Sequence, residues 1–87
     1  RYFDRDPRGY HLLGRVYLTQ EKYKLARSQF FNGLKFAPED AELNFLLGKT
    51  CVTLGRKAEA KKHINKALKN KLPSPQREEA KKLLRRL

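Results

Sequence analysis

Methionine is missing from the 87 residues, cysteine occurs once, and no apolar stretch approaches the roughly 20 residues a membrane-spanning helix needs. A lone Cys51 has no internal partner, so no disulfide framework holds the fold and nothing marks an oxidising compartment. The expectation is a cytoplasmic protein, with a disulfide-free periplasmic one left open should a signal segment have been removed. Without methionine, Arg1 is not expected to be the translation start, and the residues are expected to be part of a longer chain. The glycines are too dispersed for a loop that cradles phosphate. The two histidines, His11 and His63, have no Cys, Asp or His at ligand spacing, which argues against zinc. Cys51 reads as a small buried residue and not a nucleophile, and Glu78-Glu79 as partners of a helix dipole and not a catalytic pair. Neither an enzyme activity, a cofactor, a metal nor a small-molecule substrate is expected.

Acidic residues are scarce as well. Nine Asp and Glu face 21 Lys and Arg, a net charge of +12, so an acidic partner is expected. The excess is lopsided: residues 1–40 hold eight cations and five acids, residues 41–87 thirteen and four. After Phe45 there is no Phe, Tyr or Trp, so the basic half lacks a stacking platform for single-stranded bases. Nucleic-acid binding there would run through phosphates alone, without sequence preference.

What is present is helical. In "HLLGRVYLTQEKYKLA", residues 11–26, the apolar Leu12, Leu13, Val16 and Tyr17 continue across Gly14, a residue that costs roughly 1 kcal/mol against alanine inside a helix. An interior glycine of this kind suggests a close approach of another helix. Displacing the sequence by 34 superposes Leu12, Leu13, Gly14, Thr19, Ala26, Leu34 and Lys35 on Leu46, Leu47, Gly48, Thr53, Ala60, Leu68 and Lys69, so the glycine repeats. Asp6-Pro7 and Pro38-Glu39-Asp40 are helix starts and Gly55 a helix end. Helices are predicted at about 7–20, 23–36, 41–54 and 57–70. A fifth, from Ser74, places Ala80, Leu83, Leu84 and Leu87 on one face.

Residues 7–40 carry Tyr10-x2-Leu13-Gly14-x2-Tyr17, then Ala26-x3-Phe30, then Pro38. Residues 41–74 carry Asn44-x2-Leu47-Gly48-x2-Cys51, then Ala60-x3-Ile64, with the proline one place late at Pro73. The chain resembles the tetratricopeptide repeat family, over about 68 of its residues. The resemblance implies an all-α solenoid of helical hairpins, about five helices in one domain: a short N-terminal extension (1–6), two repeats (7–40 and 41–74) and a C-terminal capping helix (75–87). Tyr2 and Phe3 of the extension are expected to pack on the first repeat. Gly14 and Gly48, with Ala26 and Ala60, would be the small residues where paired helices touch. The repeat-packing set is Tyr10, Leu13, Gly14, Tyr17, Ala26 and Phe30, then Leu47, Gly48, Cys51, Ala60 and Ile64.

In this family the first helix of each repeat lines a concave groove. The resemblance therefore implies groove positions at Arg8, His11, Arg15, Leu18 and Thr19, and at Glu42, Phe45, Lys49, Val52 and Thr53. The function it implies is non-catalytic capture of a protein or peptide, an adaptor, scaffold or assembly factor, with Phe45 as apolar anchor and Arg15 and Lys49 for carboxylates. A plainer reading has Phe45 covered by the fifth helix and the cations only solvated. Some family members clamp the carboxylate of a chaperone tail with a Lys/Asn pair, an Asn and a Lys/Arg pair. This sequence departs from that pattern: His11 and Arg15 stand at the first pair, Leu46 at the second asparagine, Gln76 and Ala80 at the third pair. The alternative function uses the basic outer face, Lys57, Lys61, Lys62, Lys66 and Lys69, with Arg77, Lys81, Lys82, Arg85 and Arg86 of the last helix, to hold nucleic acid or another polyanion. Simple solvation of those charges is the reading it must beat.

Overall fold

Two aspartates, each just before a repeat, start the first helices of the two hairpins. The Asp6 carboxylate accepts from the Arg8 amide at 2.9 Å and the Asp40 carboxylate from the Leu43 amide at 2.9 Å, each satisfying an amide that the helix itself leaves unpaired. In the computed structural model, which describes residues 6–87, the helices are α1 (Pro7–Thr19), α2 (Tyr23–Leu34), α3 (Ala41–Thr53), α4 (Lys57–Lys69) and α5 (Gln76–Arg86). These agree with the sequence reading to within two residues at each end. The expected packing of Tyr2 and Phe3 lies outside the described residues.

The turn from first to second helix needs one left-handed residue. Gly55 supplies it in the second hairpin at φ +77°, as its role as a terminator implies; 34 residues earlier Glu21 adopts φ +57°, at a cost of about 1–2 kcal/mol for a residue with a Cβ. No sequence feature of Glu21 announces this. Only the matching register does.

α1 packs against α2 and α3 against α4, α2 bridges to α3, and α5 closes on α3 and α4. Two layers result, α1–α3–α5 on one side and α2–α4 on the other. Where the helices of each hairpin meet, glycine leaves no spare volume. A Cβ on Gly14 would sit 2.7 Å from Phe30 Cδ1 and 2.8 Å from Cζ, closer still to Cε1; one on Gly48 would sit 2.6 Å from Ile64 Cγ1 and 3.3 Å from the Ile64 backbone nitrogen. Phe30 and Ile64 are one repeat apart, so the same contact is built twice. Ala26 and Ala60 are fully buried beside it.

The rest of the packing set divides by repeat. Leu47, Cys51, Ala60 and Ile64 are fully buried, whereas Tyr10, Leu13 and Tyr17 are only half-buried, because α1 has a hairpin on one side and α3 has one on both. Leu12 and Val16, which the helical spacing joins to the inner stripe, lie exposed. At the far end Ala80 is buried and Leu83, Leu84 and Leu87 are half-buried against the core, so α5 covers the second repeat with its apolar side.

Candidate functional site

The face formed by α1, α3 and α5 is held by polar contacts along its upper part. Arg8 is exposed but turned back, its Nη2 2.9 Å from Oδ2 of Asp6. His11 Nε2 stands 3.8 Å from Glu42 Oε2, with no hydrogen-bond partner; a cavity of about 60 Å³ lined by Pro7, Arg8, His11, Asp40, Glu42 and Leu43 adjoins them. The same Glu42 oxygen accepts from Gln76 Nε2 of α5 at 3.4 Å. Two turns further along α3, Lys49 Nζ is 3.0 Å from Glu79 Oε2 of α5 and 5.2 Å above the Phe45 ring.

Phe45 itself is 1 % exposed and belongs to the core. The expected apolar anchor is therefore not at the surface. α5 brings Glu79 across to hold Lys49, and the lysine lies over the ring. The lower part of the face is different. Arg15, Thr19 and Thr53 are exposed, and Leu18 and Val52 are half-buried at the edge of the core. Thr19 Oγ1 donates to the Val16 carbonyl and Thr53 Oγ1 to the Lys49 carbonyl, so each threonine serves its own helix. Arg15 makes no ion pair among the described residues.

The two hairpins nest with a glycine at each crossing, repeated at a fixed register of 34 residues. A family model for the tetratricopeptide repeat matches residues 7–40 and again residues 41–72. The chain belongs to the tetratricopeptide repeat family. Neither the curated proteins nor the solved structures contain a significant match to it.

On the opposite layer of this tetratricopeptide repeat protein, Lys57, Lys61, Lys62 and Lys69 of α4 are exposed and unpaired among the described residues, while Lys66 is half-buried and 3.3 Å from Glu39. On α5, Lys81 stands 3.9 Å from Glu78, Arg77 is half-buried, and Lys82, Arg85 and Arg86 are exposed. No aromatic side chain lies among them. Among the described residues no three metal-ligating side chains converge, and no helix is long and apolar enough to cross a membrane.

Two buried polar clusters were not read from the sequence. In the first, Asn44 replaces the tyrosine of the first repeat. Its Nδ2 donates to the carbonyls of Pro38 and Asp40 at 3.1 and 2.9 Å, which fixes the amide orientation, so Oδ1 must accept from His63 Nδ1 at 2.9 Å. The turn between the repeats is thereby tied to α4. In the second, Arg27 Nη2 of α2 donates to both Glu59 oxygens at 2.9 Å across the layer, beside buried Cys51. Burial raises the Glu59 pKa, but the Arg27 hydrogen bond and charge, with smaller help from Cys51 and Arg56, together outweigh it and the net shift is downward. Burial, then the Glu59 charge, pushes the Cys51 thiol up to about 11, so at pH 8 only about one molecule in a thousand carries the thiolate. A cleft of about 310 Å³ lined by Lys24, Arg27, Leu54 and Arg56 opens alongside.

His63 gives the fold a pH dependence. Burial lowers its pKa from the usual histidine value, the Lys62 ammonium adds to this, Glu59 opposes it, and Lys66 and Arg27 act in the lowering direction. The unfolded chain then binds a proton where the folded chain does not. Stability from this group is complete above about pH 6.5 and declines as pH falls from there toward the lowered value. Thermal melting is expected at a lower temperature at pH 5.5 than at pH 7.5, with a smaller gap in His63→Gln. Equal gaps in the two proteins would remove His63 as the source.

Proposed function

We propose that the chain is a non-catalytic binding module that captures an acidic partner polypeptide on the α1–α3–α5 face. The observation that carries this reading is the match between repeats on the open part of the face: exposed Arg15 stands beside half-buried Leu18, and 34 residues on Lys49 stands beside half-buried Val52. An acidic segment finds two cations at repeat spacing and an apolar floor between them, with Leu18 and Val52 in the role that buried Phe45 leaves vacant. Lys49 is already matched by Glu79, so a partner carboxylate must displace an exposed internal one. That exchange favours partners with several acids over those with one.

Affinity capture with quantitative mass spectrometry tests it. Arg15→Glu/Thr53→Glu alters only exposed positions of the face, and Lys61→Glu/Lys62→Gln alters the opposite layer by the same change in net charge. Partners lost from the first variant and kept by the second support the face. Retention by both would refute it. A second reading rests on the row of unpaired lysines, Lys57, Lys61, Lys62 and Lys69, which suits a polyanion. It requires losses confined to the second variant and release of the bound species by about 150–300 mM salt.

A further inference from the structure

The cleft between the start of α2 and the turn from α3 to α4 takes no part in the α1–α3–α5 face, and its walls are almost entirely cationic. Lys24, Arg27 and Arg56 line it with Leu54. Its volume of about 310 Å³ falls within the ~300–1,000 Å³ of pockets that hold small ligands. The cavity between α1 and α3, at about 60 Å³, does not.

One carboxylate answers the three cations, and it answers them unequally. Glu59 takes both of its hydrogen bonds from a single nitrogen, Arg27 Nη2, at 2.9 Å each. Arg27 is not saturated by this, since its Nε is buried without a hydrogen-bond partner. Arg56 Nη1 stands 3.7 Å from Glu59, beyond hydrogen-bond distance, and the side chain is exposed. Lys24 is exposed too and forms no ion pair among the described residues. In spite of burial the Glu59 pKa lies below its ordinary value, so the carboxylate is ionised at neutral pH. Three cations against one anion leave the cleft with two uncompensated positive charges. The arrangement belongs to this junction and not to the repeat, because 34 residues after Lys24 the chain has Ala58.

A guanidinium presents its donors in a planar fork that matches the oxygens of a phosphate, and an ammonium adds a point charge. A phosphate monoester carries about −1.5 to −2 charges at pH 7, which answers the excess in the cleft; a carboxylate carries one and leaves the rest unanswered. Leu54 is an apolar wall for a short carbon stem, and no aromatic ring lines the cleft for a nucleobase. We infer that this cleft binds a phosphate monoester, with Lys24 and Arg56 on the phosphate oxygens, Arg27 anchored beside them by Glu59, and Leu54 against the carbon stem. The site is separate from the proposed capture face and does not rest on it.

The test titrates three probes into the full chain labelled with nitrogen-15, at about 150 mM salt so that the general attraction of a cationic protein is screened. They are the capped peptide Ala-Gly-phosphoserine-Gly-Ala, the same peptide with glutamate in place of phosphoserine, and methyl phosphate. The phosphopeptide is expected to shift the amide resonances of Lys24, Leu54 and Arg56 and to bind about tenfold or more tightly than the glutamate peptide. Lys24→Gln/Arg56→Gln alters two exposed side chains, should melt as the wild type does, and should weaken the phosphopeptide by about tenfold or more. Lys61→Gln/Lys62→Gln removes the same charge from α4 outside the cleft and should leave that affinity within about twofold. Methyl phosphate separates the sources: affinity equal to the phosphopeptide's assigns the cleft to a small free monoester, and weaker binding assigns it to a phosphorylated side chain. Equal binding of the phosphoserine and glutamate peptides overturns the inference. So do equal losses in the two variants, or no binding of either phosphate probe.

Discussion

Phe30→Ala is expected to lower the unfolding free energy by about 3–5 kcal/mol, measured by urea denaturation. The ring is fully buried and fills the crossing of α1 and α2 opposite Gly14, which has no side chain to move into the space left behind. A cavity at that point cannot be closed by relaxation, because the neighbouring Ala26 is equally small and equally buried. A chain of this length has a total stability of roughly 4–13 kcal/mol, so the loss is a large share of it. Ile64→Ala, at the matching slot of the second hairpin, removes less volume and is expected to cost about 2–4 kcal/mol. A loss under about 1 kcal/mol at Phe30 would mean that the hairpin does not depend on that crossing.

Asn44→Ala is expected to cost about 2–4 kcal/mol, as much as a large apolar truncation although the side chain is small and polar. The amide satisfies the Pro38 carbonyl and the buried Nδ1–H of His63, and adds a second donor to the Asp40 carbonyl, which also accepts from the Asn44 backbone N–H. Removing it leaves a donor without an acceptor inside the protein, which is the costly direction of hydrogen-bond loss. His63→Ala in the same background should then cost little more, giving a coupling energy of about 1–2 kcal/mol in a double-mutant cycle. Strict additivity of the two substitutions would show that the pair is not linked.

The helices and their crossings were legible in the sequence because both depend on local or periodic signals. Asp6 and Asp40 announce caps, Gly55 announces a stop, and the recurrence of Gly14 at Gly48 identifies a close approach that a single glycine would not. Phe45 was misplaced for the opposite reason. The apolar face of the fifth helix is legible in Ala80, Leu83, Leu84 and Leu87, but not that its Glu79 reaches Lys49 and that the lysine lies over the buried Phe45 ring. Leu12 and Val16 show the limit of helical periodicity: it collects apolar residues on one side of α1 without separating those that meet α2 from those on the uncovered end. Asn44 reads as a lapse in an aromatic position. Its value lies in three groups brought to it by a turn and by α4, so only the assembled fold reveals it.

The most direct measurement of nested hairpins is the sign of the stability change in Gly14→Ala, from urea denaturation with the helix content followed by circular dichroism. Inside an ordinary helix this substitution gains roughly 0.5–1 kcal/mol, since alanine is the better helix former. With the new methyl group forced against Phe30, whose ring is itself fully buried, a loss of about 1–3 kcal/mol is expected. A gain of the ordinary helical size would contradict it, because α1 and α2 could then not lie as close as the structure has them.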